Sequence, residues 1–259
     1  MNKYAWEQNC LAGQVAVVTG AAQGIGRAIA EQFAYTGVSL MLVDLSGPKL
    51  EELRGDLTSR FEIRCSVFAG DLSDESTVRE MGQRTREELG PVDILVNCAG
   101  GGVILPFLEH TAETLKQTID RNLWTVIWCT KEFIQDMRDR NYGRVINLGA
   151  DSVRNGLADH AGYNAAKGGV HGLTTGLARE FAKSGVTVNT VAPCAVATPQ
   201  LVHFSETQPE LAKKFIDAIP MGRAGELTEI ASAVTYLAMP DASFITGQVL
   251  SVNGGSTML

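Results

Sequence analysis

Short apolar runs alternate along this chain with longer segments in which apolar residues recur at helical spacing. Seven runs rich in β-branched residues predict strands at 15–19, 38–43, 65–68, 92–96, 144–148, 186–191 and 248–252. The helical pattern is clearest at 26–35, 74–89, 112–137 and 164–183. Strands that are apolar on both faces and alternate with helices are typical of a parallel sheet between two helix layers. The pattern therefore predicts an α/β fold.

The chain has the size of one domain. Its 259 residues, of which 45% are hydrophobic, suffice for one large core, and no repeat, low-complexity segment or linker divides them. We predict a single domain over 1–259, with an N-terminal tail at 1–12 and a substrate loop or helical lid at 193–225. The segment from Met1 to Gln14 is polar and mixed, without the apolar core of a secretion signal. No run approaches the ~20 apolar residues of a membrane span.

Charge and residue spacing narrow the range of partners. The formal net charge is −7, which argues against nucleic acid or an anionic membrane as a partner. The five cysteines are widely spaced without a C-x-x-C pair, and the four histidines are scattered. Such spacing predicts reduced thiols in a cytoplasmic protein and no metal site. We therefore expect a small-molecule partner.

The first predicted strand leads into a glycine-rich turn, and a helix follows. Gly20, Gly24 and Gly26 form a G-x-x-x-G-x-G pattern in which the backbone can turn tightly and approach a ligand. The N–H groups and the positive dipole end of the next helix would then face a pyrophosphate. Glycines alone leave open a turn that binds no ligand, since such turns are common.

Carboxylates follow the next two predicted strands. Asp44 comes directly after the second strand, where it can accept hydrogen bonds from both ribose hydroxyls of an adenosine and repel a 2′-phosphate. Leu45 follows it, so we expect no nearby cation to offset that repulsion. A turn or capping role is the alternative for Asp44. Asp71 can reach the adenine or cap the next helix, and the sequence does not separate these two roles. The turn and Asp44 together predict NAD as the cofactor.

Further motifs make the chain resemble the short-chain dehydrogenase/reductase family over about residues 11–256. The turn at 19–26 is similar to the family's cofactor motif, and 97–100 resembles its Asn-Asn-Ala-Gly, with cysteine for the second Asn. The segment 193–198 resembles its nicotinamide loop, and 245–255 its closing strand. The resemblance implies a Rossmann-type doubly wound sheet of about seven parallel strands that binds NAD. The cofactor-binding residues that it implies are Gly20, Gln23, Gly24, Ile25, Gly26, Asp44, Asp71, Leu72, Asn97, Ala99, Gly100, Tyr163, Lys167, Pro193, Val196 and Thr198.

The family's catalytic residues also have counterparts in this chain. Asn122, Tyr163 and Lys167 match the family's catalytic Asn and its Tyr-x-x-x-Lys, and the separation of Asn122 from Tyr163 is the usual one in the family. Tyr163 and Lys167 project from one helix face, one turn apart, where the ammonium would favour the phenolate. The resemblance implies that Tyr163 exchanges a proton with the substrate oxygen while the cofactor exchanges hydride with the carbon.

Two positions depart from the family's pattern near the reacting carbon. The family places a serine thirteen residues before the tyrosine to polarise the substrate oxygen, and this position is Ala150. Ser152 can replace that serine as a catalytic residue if the loop bulges, with a solvent-facing or turn hydroxyl as the alternative. Cys194 stands where the family has glycine.

Three functions stay open at this point. We favour an NAD-dependent enzyme that interconverts a hydrophobic secondary alcohol and its ketone. The chain resembles family branches that act on a ring-bearing hydroxyacyl-CoA or a cyclic alcohol. The residues expected to line its apolar pocket are Val103, Ile104, Leu105, Phe107, Leu201 and Phe204. The alternatives are an impaired subunit that supports an active paralogue, and a dinucleotide-sensing protein. Apolar helix faces predict a homo-oligomer, dimer or tetramer, or a hetero-oligomer with a paralogous subunit.

Overall fold

A parallel sheet of seven strands forms the centre of the fold. The computed structural model describes residues 6–207 and 209–258. The strand order in the sheet is β3-β2-β1-β4-β5-β6-β7, and every neighbouring pair is parallel. The strands are β1 (Val15–Thr19), β2 (Ser39–Asp44), β3 (Cys65–Ala69), β4 (Ile94–Asn97), β5 (Gly143–Leu148), β6 (Val186–Pro193) and β7 (Val249–Val252). The prediction of a Rossmann-type doubly wound sheet is confirmed.

Helices cover both faces of this sheet. They are α1 (Gly24–Tyr35), α2 (Gly47–Arg60), α3 (Glu75–Glu88), α4 (Ala112–Ile119), α5 (Thr125–Asp139), α6 (Ser152–Asn155), α7 (Ala161–Phe181), α8 (Pro199–Thr207), α9 (Pro209–Asp217) and α10 (Leu227–Ala238). Along β1, Ala16 and Val18 belong to a core cluster with α1, α2 and α10. Val15 and Val17 belong to a second cluster with α3 and α5. Both faces of β1 are therefore apolar because both are buried.

The sheet has a switch point beside its first strand. β1 pairs with β2 on one side and with β4 on the other, so the strand order reverses there. In open α/β sheets, ligands bind outside the carboxyl ends of the strands at such a point. The glycine turn follows β1, and the 97–100 segment begins with the last residue of β4. The topology therefore brings these two motifs to one crevice.

The helix predicted over 112–137 is interrupted, which corrects the prediction of one continuous helix. α4 and α5 are joined by a π-helical turn over Asp120–Trp124, in which Asn122 is buried. The Asn122 Nδ2 donates to the carbonyl oxygens of Thr118 and Gly101, both at 2.8 Å. A side chain that occupies the carbonyl four residues earlier competes with the α-helical hydrogen bond there, and π turns often accompany functional residues.

The segment predicted as an N-terminal tail is docked on the domain from residue 6 onwards. Leu11 is buried, and its N–H donates to the carbonyl oxygen of Thr36 at 2.9 Å. Trp6 stacks on Tyr236 of α10 with 6.2 Å between ring centroids. Residues 1–5 of the predicted tail lie outside the described residues. Within the described part, none of the helices combines the length and the apolar character needed to cross a bilayer.

Candidate active site

The glycine turn between β1 and α1 fits a pyrophosphate. Gly20 has a φ of +67°, and a β-carbon there would lie 2.9 Å from the backbone of Ala99. A β-carbon on Gly26 would lie 2.1 Å from the carbonyl oxygen of Gly20, so neither position accepts a side chain. Gln23 precedes α1 without giving a side-chain cap. The first N–H groups of α1, that of Ile25 included, can therefore bind a ligand oxygen.

Asp44 ties the end of β2 to the glycine turn. Its Oδ2 accepts from the N–H of Ala22 at 3.1 Å, and its Oδ1 from the N–H of Ser46 at 3.2 Å. Both roles considered for Asp44, turn acceptor and ribose partner, are therefore compatible with its position. Lys49 donates to Gln23 Oε1 at 3.1 Å. The expectation of no nearby cation is wrong, because Lys49, near the start of α2, contacts the glycine-rich loop through Gln23.

Asp71 and Leu72 follow β3 in different environments. Asp71 is exposed, and its Oδ1 accepts from the N–H of Ser73 at 2.9 Å. Asp74 caps α3 by accepting from the N–H of Ser76 at 3.2 Å. The interpretation of Asp71 as the helix cap is therefore wrong, and its contact with adenine stays a prediction. Leu72 is buried in the core cluster under α3, so only its backbone is placed to meet a ligand.

The segment after β4 packs closely against predicted catalytic residues. Asn97 is buried and donates to Asn147 Oδ1 at 2.9 Å, which ties β4 to β5. A β-carbon on Gly100 would lie 2.8 Å from Asn122 Oδ1 and 3.4 Å from Lys167 Nζ. The Asn122 Oδ1 also accepts from the backbone after Gly100, at 3.1 Å. Asn122 therefore positions this segment, and glycine at 100 gives Lys167 room.

Tyr163 and Lys167 lie together at the start of α7, as predicted. The Lys167 Nζ donates to the carbonyl oxygen of Leu148 at 2.7 Å and lies 5.9 Å from the centroid of the Tyr163 ring. Burial lowers the pKa of Lys167 to about 8 and raises the pKa of Tyr163 to about 12, with a smaller rise in both from Cys98. The expectation of a lowered phenol pKa is wrong for this structure, because burial raises it.

The loop after β5 has no serine at the family's position. Ala150 is buried two residues after the end of β5, and Ser152 begins α6. The Ser152 hydroxyl donates to Asn164 Oδ1 at 2.6 Å, and Asn164 follows Tyr163 in the chain. Ser152 is thus a partly exposed hydroxyl with a side-chain partner. Its donation to a substrate oxygen stays a prediction, since its one proton is engaged by Asn164.

The 193–198 segment returns to the glycine turn. Pro193 is the last residue of β6, and Val196 forms an isolated bridge with Gly225 at the far end of the predicted lid. A β-carbon on Gly24 would lie 3.6 Å from Thr198 Cγ2. The lid is helical over α8 and α9, as predicted, and its two ends meet at that bridge. The motifs predicted to bind the dinucleotide therefore converge on one edge of the sheet.

A row of aromatic rings connects the lid to Tyr163. The centroid of the His160 ring lies 6.1 Å from that of Tyr163 and 6.3 Å from that of Phe215 in α9. Phe215 in turn lies 6.2 Å from Phe204 in α8, a residue that the sequence predicts in the pocket. Sequence reasoning missed His160 and Phe215, whose only signal was a place just before α7 and an apolar position in the lid.

The predicted pocket loop at 100–107 passes the same tyrosine. A β-carbon on Gly102 would lie 3.1 Å from Tyr163 Cδ2. Ile104 and Phe107 are exposed, Phe107 by 61%. The backbone of this loop therefore passes the Tyr163 ring at Gly102, and the place of Ile104 and Phe107 in a substrate pocket stays a prediction.

The known proteins that this chain is similar to are dehydrogenases and reductases. A family model described as enoyl-(acyl carrier protein) reductase matches residues 20–257. The chain is 60% identical over 249 residues to 2,3-dihydroxy-2,3-dihydro-p-cumate dehydrogenase of Pseudomonas putida, covering 96% of each chain. It is 38% identical over 250 residues to galactitol 2-dehydrogenase (L-tagatose-forming) of Cereibacter sphaeroides, again covering 96% of each. An NADPH-dependent reductase involved in bacilysin biosynthesis has a similar structure, with a TM-score of 0.90, 28% identity and coverage of 95% of this chain and 99% of that one.

Proposed function

The chain belongs to the short-chain dehydrogenase/reductase family and is an oxidoreductase, and from this premise we propose that it oxidises a cyclic secondary alcohol with NAD as hydride acceptor. The observation that carries the proposal is the aromatic row of Phe204, Phe215 and His160 that ends at Tyr163. Flat apolar walls beside a proton-exchanging group suit a ring-bearing substrate. The relative that is 60% identical is named for such a compound, which favours a cyclic alcohol over a hydroxyacyl-CoA.

The protein's own residues supply the proton chemistry. Bound NAD would accept hydride from the carbinol carbon, and Tyr163 would take the hydroxyl proton. Lys167 lies beside that phenol with a pKa lowered to about 8 by burial, so it can pass on the proton near neutral pH. Ser152 is the hydroxyl proposed to polarise the substrate oxygen in place of a residue at 150, once it releases Asn164. Asn122 holds the segment after β4 next to Lys167 through its two hydrogen bonds to Gly101.

The choice of NAD over NADP rests on Asp44. Its carboxylate ends β2 beside the glycine turn, where it favours ribose hydroxyls and repels a 2′-phosphate. Lys49 opposes this preference, because its ammonium lies beside the same turn. We infer that the carboxylate prevails, since Asp44 is fixed by two backbone hydrogen bonds whereas Lys49 is an exposed side chain.

The two non-catalytic alternatives, an impaired subunit and a dinucleotide sensor, are less favoured because Asn122, Tyr163 and Lys167 are grouped around the segment Gly100–Gly102, as an active enzyme requires. Self-association through α4–α5 and α7 stays part of the proposal, and so does a cytoplasmic, reduced environment.

Purified protein and a substrate panel test the proposed function. We expect NADH formation with 2,3-dihydroxy-2,3-dihydro-p-cumate or simpler cyclic diols, and at least ten times lower kcat/KM with linear hydroxyacyl-CoA. Equal or higher kcat/KM for the linear substrate would contradict the proposed class. If the protein alone shows no turnover and a paralogous subunit restores activity, the result would favour the impaired-subunit interpretation.

A further inference from the structure

Asp151 is a fully buried carboxylate directly after Ala150. Its Oδ1 accepts from Asn253 Nδ2 and its Oδ2 from Thr257 Oγ1, each at 2.9 Å. Arg154, three residues on, donates instead to the Ser251 hydroxyl and the Val249 carbonyl. Among the described residues, no lysine or arginine forms an ion pair with Asp151. Neutral donors alone therefore hold this carboxylate.

Such a group acts strongly on its surroundings. Burying a carboxylate is costly unless it is paired, and hydrogen bonds from neutral groups offset only part of that cost. Because little water screens it, its field falls off more slowly than that of a surface charge.

Asp151 is bonded directly to the segment that resembles the family's nicotinamide loop. Its backbone N–H donates to the carbonyl oxygen of Pro193 at 3.0 Å, and the chain runs from there to Thr198 against the glycine turn. Burial raises the pKa of the Cys194 thiol, and the charge of Asp151 raises it further. The buried carboxylate therefore belongs to a residue that is hydrogen-bonded to this segment, which places its charge next to the loop.

We propose that Asp151 makes the site bind the oxidised, cationic nicotinamide more tightly than the reduced, neutral one. The inference rests on the NAD site of the proposed function. A negative charge attracts the cation and exerts no such attraction on the neutral ring. When a site binds NAD⁺ more tightly than NADH, the equilibrium between the two bound forms shifts towards NAD⁺. Asp151 would therefore set this equilibrium through its charge.

Asp151→Asn removes the charge and keeps the size of the side chain. The amide oxygen can still accept from Asn253, and the amide nitrogen can donate to the Thr257 hydroxyl. We expect the ratio of the Kd for NADH to the Kd for NAD⁺ to fall about fivefold to tenfold. The ratio is measured on the whole protein without substrate, by calorimetric titration with NAD⁺ and fluorescence titration with NADH. Asp151→Ser makes the same test if the Asn variant does not fold.

Thr257→Val is the matched control, because it removes one hydrogen bond and keeps the charge. We expect its Kd ratio to stay within about twofold of the wild type. An unchanged Kd ratio in Asp151→Asn overturns the inference. An equal shift in Thr257→Val also overturns it, because the hydrogen bond to the C-terminal segment, and not the charge, would then explain the effect. Wild-type protein that binds neither nucleotide overturns the cofactor assignment as well. Normal binding without oxidation of cyclic alcohols refutes the proposed substrate alone.

Discussion

Ser152 donates its hydroxyl proton to the side-chain oxygen of Asn164 across 2.6 Å, and Asn164 is the residue that directly follows Tyr163. Position 152 carries the only hydroxyl between residues 149 and 156. We expect Ser152→Ala to lower kcat by about 10²–10³, the usual effect of removing one donor to a developing alkoxide. Ala150→Ser in that background should recover part of the loss. If steady-state rates do not change in Ser152→Ala, another group must donate to the alkoxide.

Tyr163→Phe removes one hydroxyl from a half-buried side chain that lies near Gly102 and His160. We expect kcat to fall by about 10²–10⁴, the range for a positioned acid or base. The Kd for NAD⁺ and the unfolding midpoint should change little, since the ring remains. A variant that keeps most of its turnover would refute proton transfer by this residue.

Lys167 should set the pH dependence of alcohol oxidation. Burial lowers its pKa to about 8, while the pKa of Tyr163 is raised to about 12. Well below pH 8 the pair is almost entirely protonated and cannot take the substrate proton, so kcat/KM for oxidation should rise with pH through about 8 and then level off. Ketone reduction should show the opposite trend. Lys167→Arg should move the rising limb to higher pH, because guanidinium does not lose its proton in this range. A flat wild-type profile between pH 6 and 9 would contradict this assignment.

Asp44→Ser should weaken discrimination against NADP. The carboxylate repels a 2′-phosphate, and its loss should lower the ratio of the Kd for NADP to that for NAD by about tenfold, or about 1.4 kcal/mol. Lys49→Gln should act in the opposite direction by weakening NADP binding. Calorimetric titration with both cofactors measures the ratios. Tighter binding of NADP than NAD by the wild type would refute the proposed preference.

Phe215→Ala should impair binding of a cyclic substrate. The ring packs between His160 and Phe204, so its removal should raise KM for a cyclic alcohol about tenfold while the Kd for NAD⁺ stays constant. Phe244→Ala is the control, because Phe244 is fully exposed and lies in the segment between α10 and β7, outside the lid. Equal changes in KM for both variants would argue against a role of the lid aromatics in substrate binding.

Sequence reasoning identified those parts of the site whose chemistry depends on the local chain. Gly20 and Gly26 predict a tight turn from the sequence alone, and the structure leaves no room for a β-carbon at either position. Tyr163 and Lys167 were placed on one helix face because their spacing is four residues. Asp71 was ambiguous because Asp suits caps and turns alike, and Asp74 three residues later turned out to be the cap.

What sequence reasoning missed depends on contacts between distant segments. His160 and Phe215 are far apart in the chain and meet only because the lid folds over the start of α7. The pKa of Tyr163 was expected to fall from its spacing to Lys167, whereas the burial that raises it is a property of the whole fold. Lys49 was overlooked for the same reason, since its partner Gln23 belongs to the preceding βα turn.

The π-helical turn at Asp120–Trp124 accommodates one inserted residue without changing the face that α5 buries. Its five residues turn the chain through about the same angle as four residues of an α-helix, so a single-residue deletion there would let α4 run into α5 with Cys129 and Phe133 still in the core. We therefore expect such a deletion to keep the fold but to displace Asn122, whose hydrogen bonds to Gly101 would be lost. The insertion thus serves the position of one side chain, and the packing of the helix does not depend on it.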